Sequence, residues 1–247
     1  MSSTVTANVR SALRRALDVV VRPGTYLAIT YLLLAFPLGI AYVVFVSVGL
    51  GLGVGLAVVL VGVPIFAITV VGALAVGRLE AVLARYLLDV DVSQRPLPRD
   101  GSLRDRAWRV VADRGTWKTV AYLPTKLAFG VAGVVVSTSV LATGVSMLLV
   151  PLYYTEPGLY VGLVTDRPVE LHPSLYVAWN NLLVGIEAVW TLDAWRVDAL
   201  GDALVVAAAG ALVVLLALHL LSALGRLARW YAAFMLDGAY APLANEG

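Results

Sequence analysis

Residues 25–91 read TYLAITYLLLAFPLGIAYVVFVSVGLGLGVGLAVVLVGVPIFAITVVGALAVGRLEAVLARYLLDVD, and positions 25 to 77 hold no charged side chain. An apolar helix of about 20 residues crosses the roughly 30 Å of bilayer hydrocarbon, so this stretch is long enough for two crossings. It predicts a helical hairpin in a membrane. Its closing segment, residues 78–92, places Arg78, Glu80 and Arg85 among apolar residues and predicts an amphipathic helix at the membrane surface.

Moving outward, the same unit recurs. A shift of 91 positions sets Arg15, Ala16, Val19, Val20, Gly24, Thr25, Tyr31, Leu32, Gly39 and Gly53 on Arg106, Ala107, Val110, Val111, Gly115, Thr116, Tyr122, Leu123, Gly130 and Gly144, and Tyr26 on Trp117. The closing GRLEAVLARYLLD of residues 77–89 returns as GRLARWYAAFMLD at 225–237, a shift of 148. The difference, 148 − 91 = 57 residues, is an insertion in the second copy. The expected architecture is an all-α integral membrane protein. Its four transmembrane helices form two duplicated hairpins, repeat 1 at 10–92 and repeat 2 at 101–238, related by an axis along the membrane normal. Interfacial amphipathic helices flank them, and the insertion spans about 152–202.

Composition agrees. Of 247 residues, 60% are hydrophobic and 14% charged, and the mean hydropathy is +0.88, which excludes an ordinary soluble domain. Without cysteine there is no disulfide, thiolate metal site or thiol nucleophile. Sixteen of the eighteen basic residues fall in segments on one side: the two ends, the linker between the hairpins and, with Lys126, the adjoining start of the third span. The insertion holds two arginines against seven carboxylates, 2 − 7 = −5. By the positive-inside rule both termini and the linker are cytoplasmic and the insertion is extracytoplasmic.

In chain order, residues 5–20 carry an apolar stripe at helical spacing with Arg10, Arg14 and Arg15 off it, predicting a helix on an anionic membrane face or a plain topology signal. The spans are expected near 26–48, 56–76, 120–150 and 203–224. Pro37 would kink the first, Pro64 lies inside the second, and Pro124 opens the third. Gly49, Gly51, Gly53 and Gly55 predict a short turn or a close helix contact; they lack the Lys-Ser/Thr ending and the preceding strand of a phosphate loop. Residues 103–113 copy the first interfacial helix and bring Arg104, Arg106 and Arg109, which with Arg14 and Arg15 are candidates to contact anionic lipid or a protein partner. Residues 238–247 read as a frayed tail.

In the insertion, residues 176–195 have helical spacing. At 100° per residue Asn180, Glu187, Thr191 and Asp198 share one stripe, flanked by Trp179, Trp190 and Trp195. The stripe is either a ligand pocket built from Asn180, Glu187, Thr191, Trp179 and Trp190, or the wet side of an interfacial helix. His172 and His219 are predicted at different depths, which argues against a bis-histidine haem. Lys126 is expected to snorkel to the interface, and the spans are expected to be free of buried carboxylates. No catalytic or metal motif occurs, so neither enzymatic activity nor a cofactor is expected. Lipid headgroups account for the basic linker better than nucleic acid does.

The order of these segments, with Pro-Leu-Gly at 37–39, Val-Gly-Val-Pro at 61–64 and the two Gly-Arg-Leu helices, resembles the “putative sensor” membrane-domain family of actinobacterial and haloarchaeal proteins, over about residues 25–238. There the domain often precedes a histidine kinase. The resemblance implies a sensing role, and since no phosphoacceptor helix or nucleotide-binding domain follows before Gly247, its output is expected in a separate chain. The reading is a non-enzymatic, sensor-like membrane module passing an outer or bilayer signal to a cytoplasmic partner. The alternative is an accessory or lipid-binding subunit of another membrane protein; a homo-oligomer is compatible with either.

Overall fold

The computed structural model describes residues 18–155, 160–161, 169–171, 174–179, 182–187, 190–192, 195–197 and 199–242. Four helical stretches are long and apolar enough to cross a membrane: Pro23–Gly55, Gly62–Leu88, Arg114–Leu152 and Leu200–Leu236. The chain is a multi-pass membrane protein, mostly helical.

Helix α1 (Pro23–Gly55) starts with proline at its first turn, where the missing N–H costs nothing. It runs unbroken through Gly49, Gly51 and Gly53, so the expected glycine turn is absent. Gly49 and Gly53 instead abut Thr69 and Phe66 of the next helix, which is the close contact offered as the other reading. The reversal comes later, at a 3₁₀ turn (Ala57–Val59) closed by Leu60 at φ 62°. Helix α2 (Gly62–Leu88) then continues through Gly77 and Arg78 to Leu88, ending at Asp89 with φ 53°. The expected break into a span and a separate surface helix does not occur.

Helix α3 (Leu103–Ala112) is the short amphipathic helix expected at 103–113. Ser102 and Asp105 form a capping box, with the Ser102 Oγ accepting from the Asp105 N–H at 3.2 Å and the Asp105 carboxylate accepting from the Ser102 N–H at 3.3 Å. Helix α4 (Arg114–Val135) leads through a π-helical turn, Val136–Leu141, into α5 (Ala142–Leu149). Helix α6 (Leu200–Leu236) is again one rod where a span and a surface helix were expected. Of the expected N-terminal interfacial helix only residues 18–21 are described, and they are helical; Arg14 and Arg15 lie outside the described residues.

Two units divide the chain, residues 1–142 with 214–247, and residues 143–213. In the first, a core of Tyr31, Leu32, Ala73, Ala84, Tyr122, Leu123, Leu221 and Leu236 joins α1, α2, α4 and the C-terminal half of α6. The C-terminal segment is tied down as far as Pro242. β1 (Arg95–Pro96) pairs in parallel with β8 (Tyr240–Ala241). The Gly238 N–H donates to the Ser93 carbonyl at 2.8 Å, and Arg78 Nη1 donates to the Pro242 carbonyl at 2.8 Å. The expected fraying is thus corrected for 238–242; 243–247 lie outside the described residues.

The second unit corrects the insertion. Its backbone holds β2 (Tyr160–Val161), β3 (Val169–Leu171), β4 (Ser174–Trp179), β5 (Leu182–Glu187), β6 (Trp190–Leu192) and β7 (Trp195–Arg196). They pair as nested antiparallel ladders, β4 with β5, β3 with β6, β2 with β7. No helix occupies the described part of 176–195. The physical reason is composition: SLYVAW and LLVGIE are two runs of Trp, Tyr, Val, Ile and Leu set two residues apart, and such side chains favour pleated backbone. Val150, Val197, Ala203 and Val206 form a small core in this unit.

Candidate functional site

The helical stripe of the insertion dissolves with its helix. Trp179 ends β4 opposite Leu182, Glu187 ends β5 opposite Ser174, and Trp190 and Thr191 sit in β6 opposite Leu171 and Glu170. Asn180 and Asp198 lie outside the described residues. The ladder distributes these positions over three strands instead of gathering them on one face.

Arg104, Arg106 and Arg109 do share α3. Arg106 Nε donates to the Gly101 carbonyl at 3.0 Å, while Arg109 donates to the carbonyls of Asp105 and Asp100, so both help hold the turn before the helix. Leu103 and Trp108 are exposed on the same helix, the composition of a surface-lying element. The Ser102 hydrogen bonds hold the Asp105 carboxyl below the ordinary carboxylate range.

The most unusual chemistry lies in the helical core. Glu80 of α2 and Lys126 of α4 are buried, at 0% and 1% exposure, and Lys126 Nζ lies 2.5 Å from Glu80 Oε2. Tyr42 of α1 donates its hydroxyl to Glu80 Oε1 at 2.7 Å. The ammonium also sits 4.5 Å from the Tyr31 ring centroid and 5.9 Å from that of Tyr42, distances at which a cation is attracted by the ring face. Tyr31 and Tyr122 share a hydroxyl–hydroxyl hydrogen bond of 2.8 Å. Tyr231 of α6 stacks on Tyr122 at 5.7 Å and bonds Thr125 at 2.8 Å. One polar network thereby touches all four helices of this unit's core.

This overturns two expectations. Lys126 does not snorkel, and the spans do carry a buried carboxylate. A charge removed from water is tolerated only when paired and hydrogen-bonded, and here the carboxylate takes one bond on each oxygen while the ammonium gains two ring faces. Glu80 and Tyr42 carried no sequence signal alone, because Glu80 was assigned to a surface helix. His219 makes a local contact to the Leu215 carbonyl at 2.8 Å, and among the described residues no group of three metal-ligating side chains converges.

Several contacts recur at the spacing of the sequence repeat. Tyr26 Oη donates to the Val20 carbonyl and Trp117 Nε1 to the Val111 carbonyl, both at 2.7 Å and both 91 positions apart. A Cβ on Gly39 would come within 2.6 Å of Leu127 Cα, and one on Gly130 within 2.5 Å of Phe36 Cα; 39 and 130, like 36 and 127, differ by 91. The buried positions Thr25, Ala28, Tyr31, Leu32, Ala35, Gly39 and Tyr42 of α1 correspond at that shift to the buried Thr116, Thr119, Tyr122, Leu123, Lys126, Gly130 and Gly133 of α4.

A family model described as “Putative sensor” matches residues 31–236. No curated protein and no solved structure matches.

Proposed function

The chain belongs to the “Putative sensor” family, and from that premise we propose a non-enzymatic membrane module whose responsive element is the Glu80–Lys126 pair and its tyrosines. The observation that carries this reading is an ion pair wholly buried among helices of membrane-spanning length. Ionisable groups at such positions are costly and mark functional sites. The reciprocal contacts of Gly39 with Leu127 and Gly130 with Phe36 support two duplicated hairpins meeting about a pseudo-twofold axis. Tyr31 and Tyr122 would straddle that axis. The charged pair breaks the symmetry, and a broken symmetry allows two packings of unequal energy.

In this reading a change in bilayer tension or at the extracytoplasmic insertion, including Trp179, Glu187, Trp190, Thr191 and Asn180, shifts the hairpins. The basic cytoplasmic ends, Arg104, Arg106 and Arg109 with Arg14 and Arg15, then convey the shift to a protein in trans. Both termini are taken as cytoplasmic on the positive-inside rule.

Spin labels on Tyr86→Cys and Phe234→Cys, both exposed positions, would report the separation of α2 and α6 in nanodiscs of thin and thick lipid. The expected result is a separation that changes with thickness in the native core and stays fixed in Glu80→Ala/Lys126→Ala. Equal behaviour of the two proteins, whether both move or neither does, sinks the proposal. Purification in gentle detergent with mass spectrometry of retained proteins addresses the output. A signalling protein lost when Arg104, Arg106 and Arg109 become Gln supports it, whereas a stoichiometric membrane complex favours an accessory subunit.

A further inference from the structure

At the arginine-bearing ends of α1, α2 and α6 an open groove of about 640 Å³ is lined by Arg22, Arg226 and Arg229 against one carboxylate, Asp89. The lining also includes the apolar Val19, Leu27 and Leu88. Arg226 and Arg229 are exposed and, among the described residues, make no hydrogen bond or ion pair; Arg22 reaches only the exposed Asp18 at 3.4 Å. Ser222, also in the lining, buries its Oγ without a hydrogen-bond partner among the described residues, which leaves a donor free for an acceptor in the groove.

The corresponding place in the other half shows what such a groove accepts. Gly115, 91 positions after Gly24, is covered: a Cβ there would lie 3.0 Å from Ala239 Cα and 3.2 Å from the Gly238 carbonyl oxygen. Arg78, 148 positions before Arg226, donates to the Pro242 carbonyl. The chain's own segment 238–242 therefore fills that groove and supplies a neutral acceptor to its arginine. Around a Cβ on Gly24, among the described residues, nothing lies within 4 Å. Over its lining positions the open groove carries Arg22, Arg226 and Arg229 against Asp89, 3 − 1 = +2, and the corresponding positions of the filled one carry Arg78, Arg114 and Lys118 against Asp113 and Asp237, 3 − 2 = +1, so the open groove is the more positive by one charge. An acceptor suited to it carries more negative charge than a peptide carbonyl.

We propose that this groove binds the phosphate of an anionic phospholipid headgroup between Arg22, Arg226 and Arg229, with an acyl chain along Leu27 and Leu88. Guanidinium groups in a cluster match phosphate oxygens by charge-assisted hydrogen bonds. A lipid fits better than a soluble phosphate because the arginines lie near the ends of helices of membrane-spanning length and the lining also carries apolar side chains. The proposal depends neither on switching nor on a signalling partner.

The test is native mass spectrometry and detergent-phase titration of the full chain with short-chain phosphatidylglycerol, phosphatidylcholine and inorganic phosphate. One phosphatidylglycerol per chain is expected, with phosphatidylcholine weaker. Arg226→Gln/Arg229→Gln should weaken phosphatidylglycerol binding at least about tenfold, since each surface arginine contributes on that scale. Arg99→Gln/Arg114→Gln, which removes the same charge at exposed positions outside the groove, should not. Gly24→Leu keeps every charge and fills the groove, and should also abolish retention while the melting temperature of the lipid-free protein holds. Equal loss in both double arginine variants would mean diffuse surface attraction and overturn the site. Inorganic phosphate competing as well as the lipid, or unaltered binding in Gly24→Leu, would overturn the lipid.

Discussion

Glu80 and Lys126 stand where the other half of the chain carries alanine: Ala228, 148 positions after Glu80, and Ala35, 91 positions before Lys126, are both buried. The buried pair is thus an addition to a core that the other half closes with small side chains. Removing one member strands the other charge out of water, at a cost of about 3–5 kcal/mol, whereas removing both can be close to neutral. Glu80→Ala and Lys126→Ala should each lower stability by about that amount, and the double variant by clearly less than their sum, checked by a double-mutant unfolding cycle in micelles. Tyr42→Phe removes a hydrogen bond to a charged acceptor and should cost about 1.5–3 kcal/mol in the same assay. The pair was legible only in part. Hydropathy places Lys126 near the basic end of a span and so predicts snorkelling, but the repeat register puts it on the stripe Thr119, Tyr122, Leu123, Lys126, which matches the buried Ala28, Tyr31, Leu32 and Ala35. The burial pattern shared by residues 28–35 and 119–126 outranks local hydropathy here because helix packing, not depth, decides which face is buried.

At the scale of elements, the four crossings were readable because a run of some 50 uncharged residues has no other stable home, while their ends were not. Helix α2 was expected to stop near Gly77, where glycine and charge arrive together. It continues because Gly77 is a packing contact: a Cβ there would collide with Thr119, just as one on Gly225 would lie 2.7 Å from Ala28 Cβ. The insertion was misread because helical and strand patterns compete in a short Trp- and Val-rich run, and the two-residue spacing between matched six-residue runs was the hairpin signal. Glycine substitutions separate packing from propensity. Gly39→Leu and Gly130→Leu should each destabilise by about 1–3 kcal/mol or more through overpacking at the α1–α4 crossing. Gly51→Ala, with open space around its Cα, should gain up to about 1 kcal/mol of helix propensity. Thermal unfolding in one detergent ranks all three. For α3, the folded carboxyl of Asp105 lies below its unfolded value. Its contribution is therefore complete above the ordinary carboxylate pKa and is lost as pH falls through the folded one. Amide exchange at the start of α3 should accelerate selectively below that range, and Ser102→Ala should erase the pH dependence.

Across the whole molecule, charge and chemistry divide along the sequence: all but two of the basic residues lie outside the insertion, which holds seven of the sixteen carboxylates. Such a division is costless in water and becomes meaningful only across a bilayer, where arginine retention on one side sets orientation. The orientation expected from that rule can be tested directly, since a chain without cysteine accepts single reporters without background. Ser174→Cys lies in the insertion and Arg104→Cys on α3. In intact cells a membrane-impermeant maleimide should label Ser174→Cys within minutes and leave Arg104→Cys unlabelled until the membrane is opened. Arg104 is exposed and, among the described residues, makes no hydrogen bond, so a failure to label after permeabilisation cannot be put down to burial in the fold. Labelling of Arg104→Cys from outside would invert the topology, place the arginine groove and α3 away from the cytoplasm, and remove any route from the Glu80–Lys126 core to a soluble signalling partner. Protection of Arg104→Cys with access at Ser174→Cys would leave the acidic hairpin as the face that meets the exterior and the basic helix ends as the face that meets the cell.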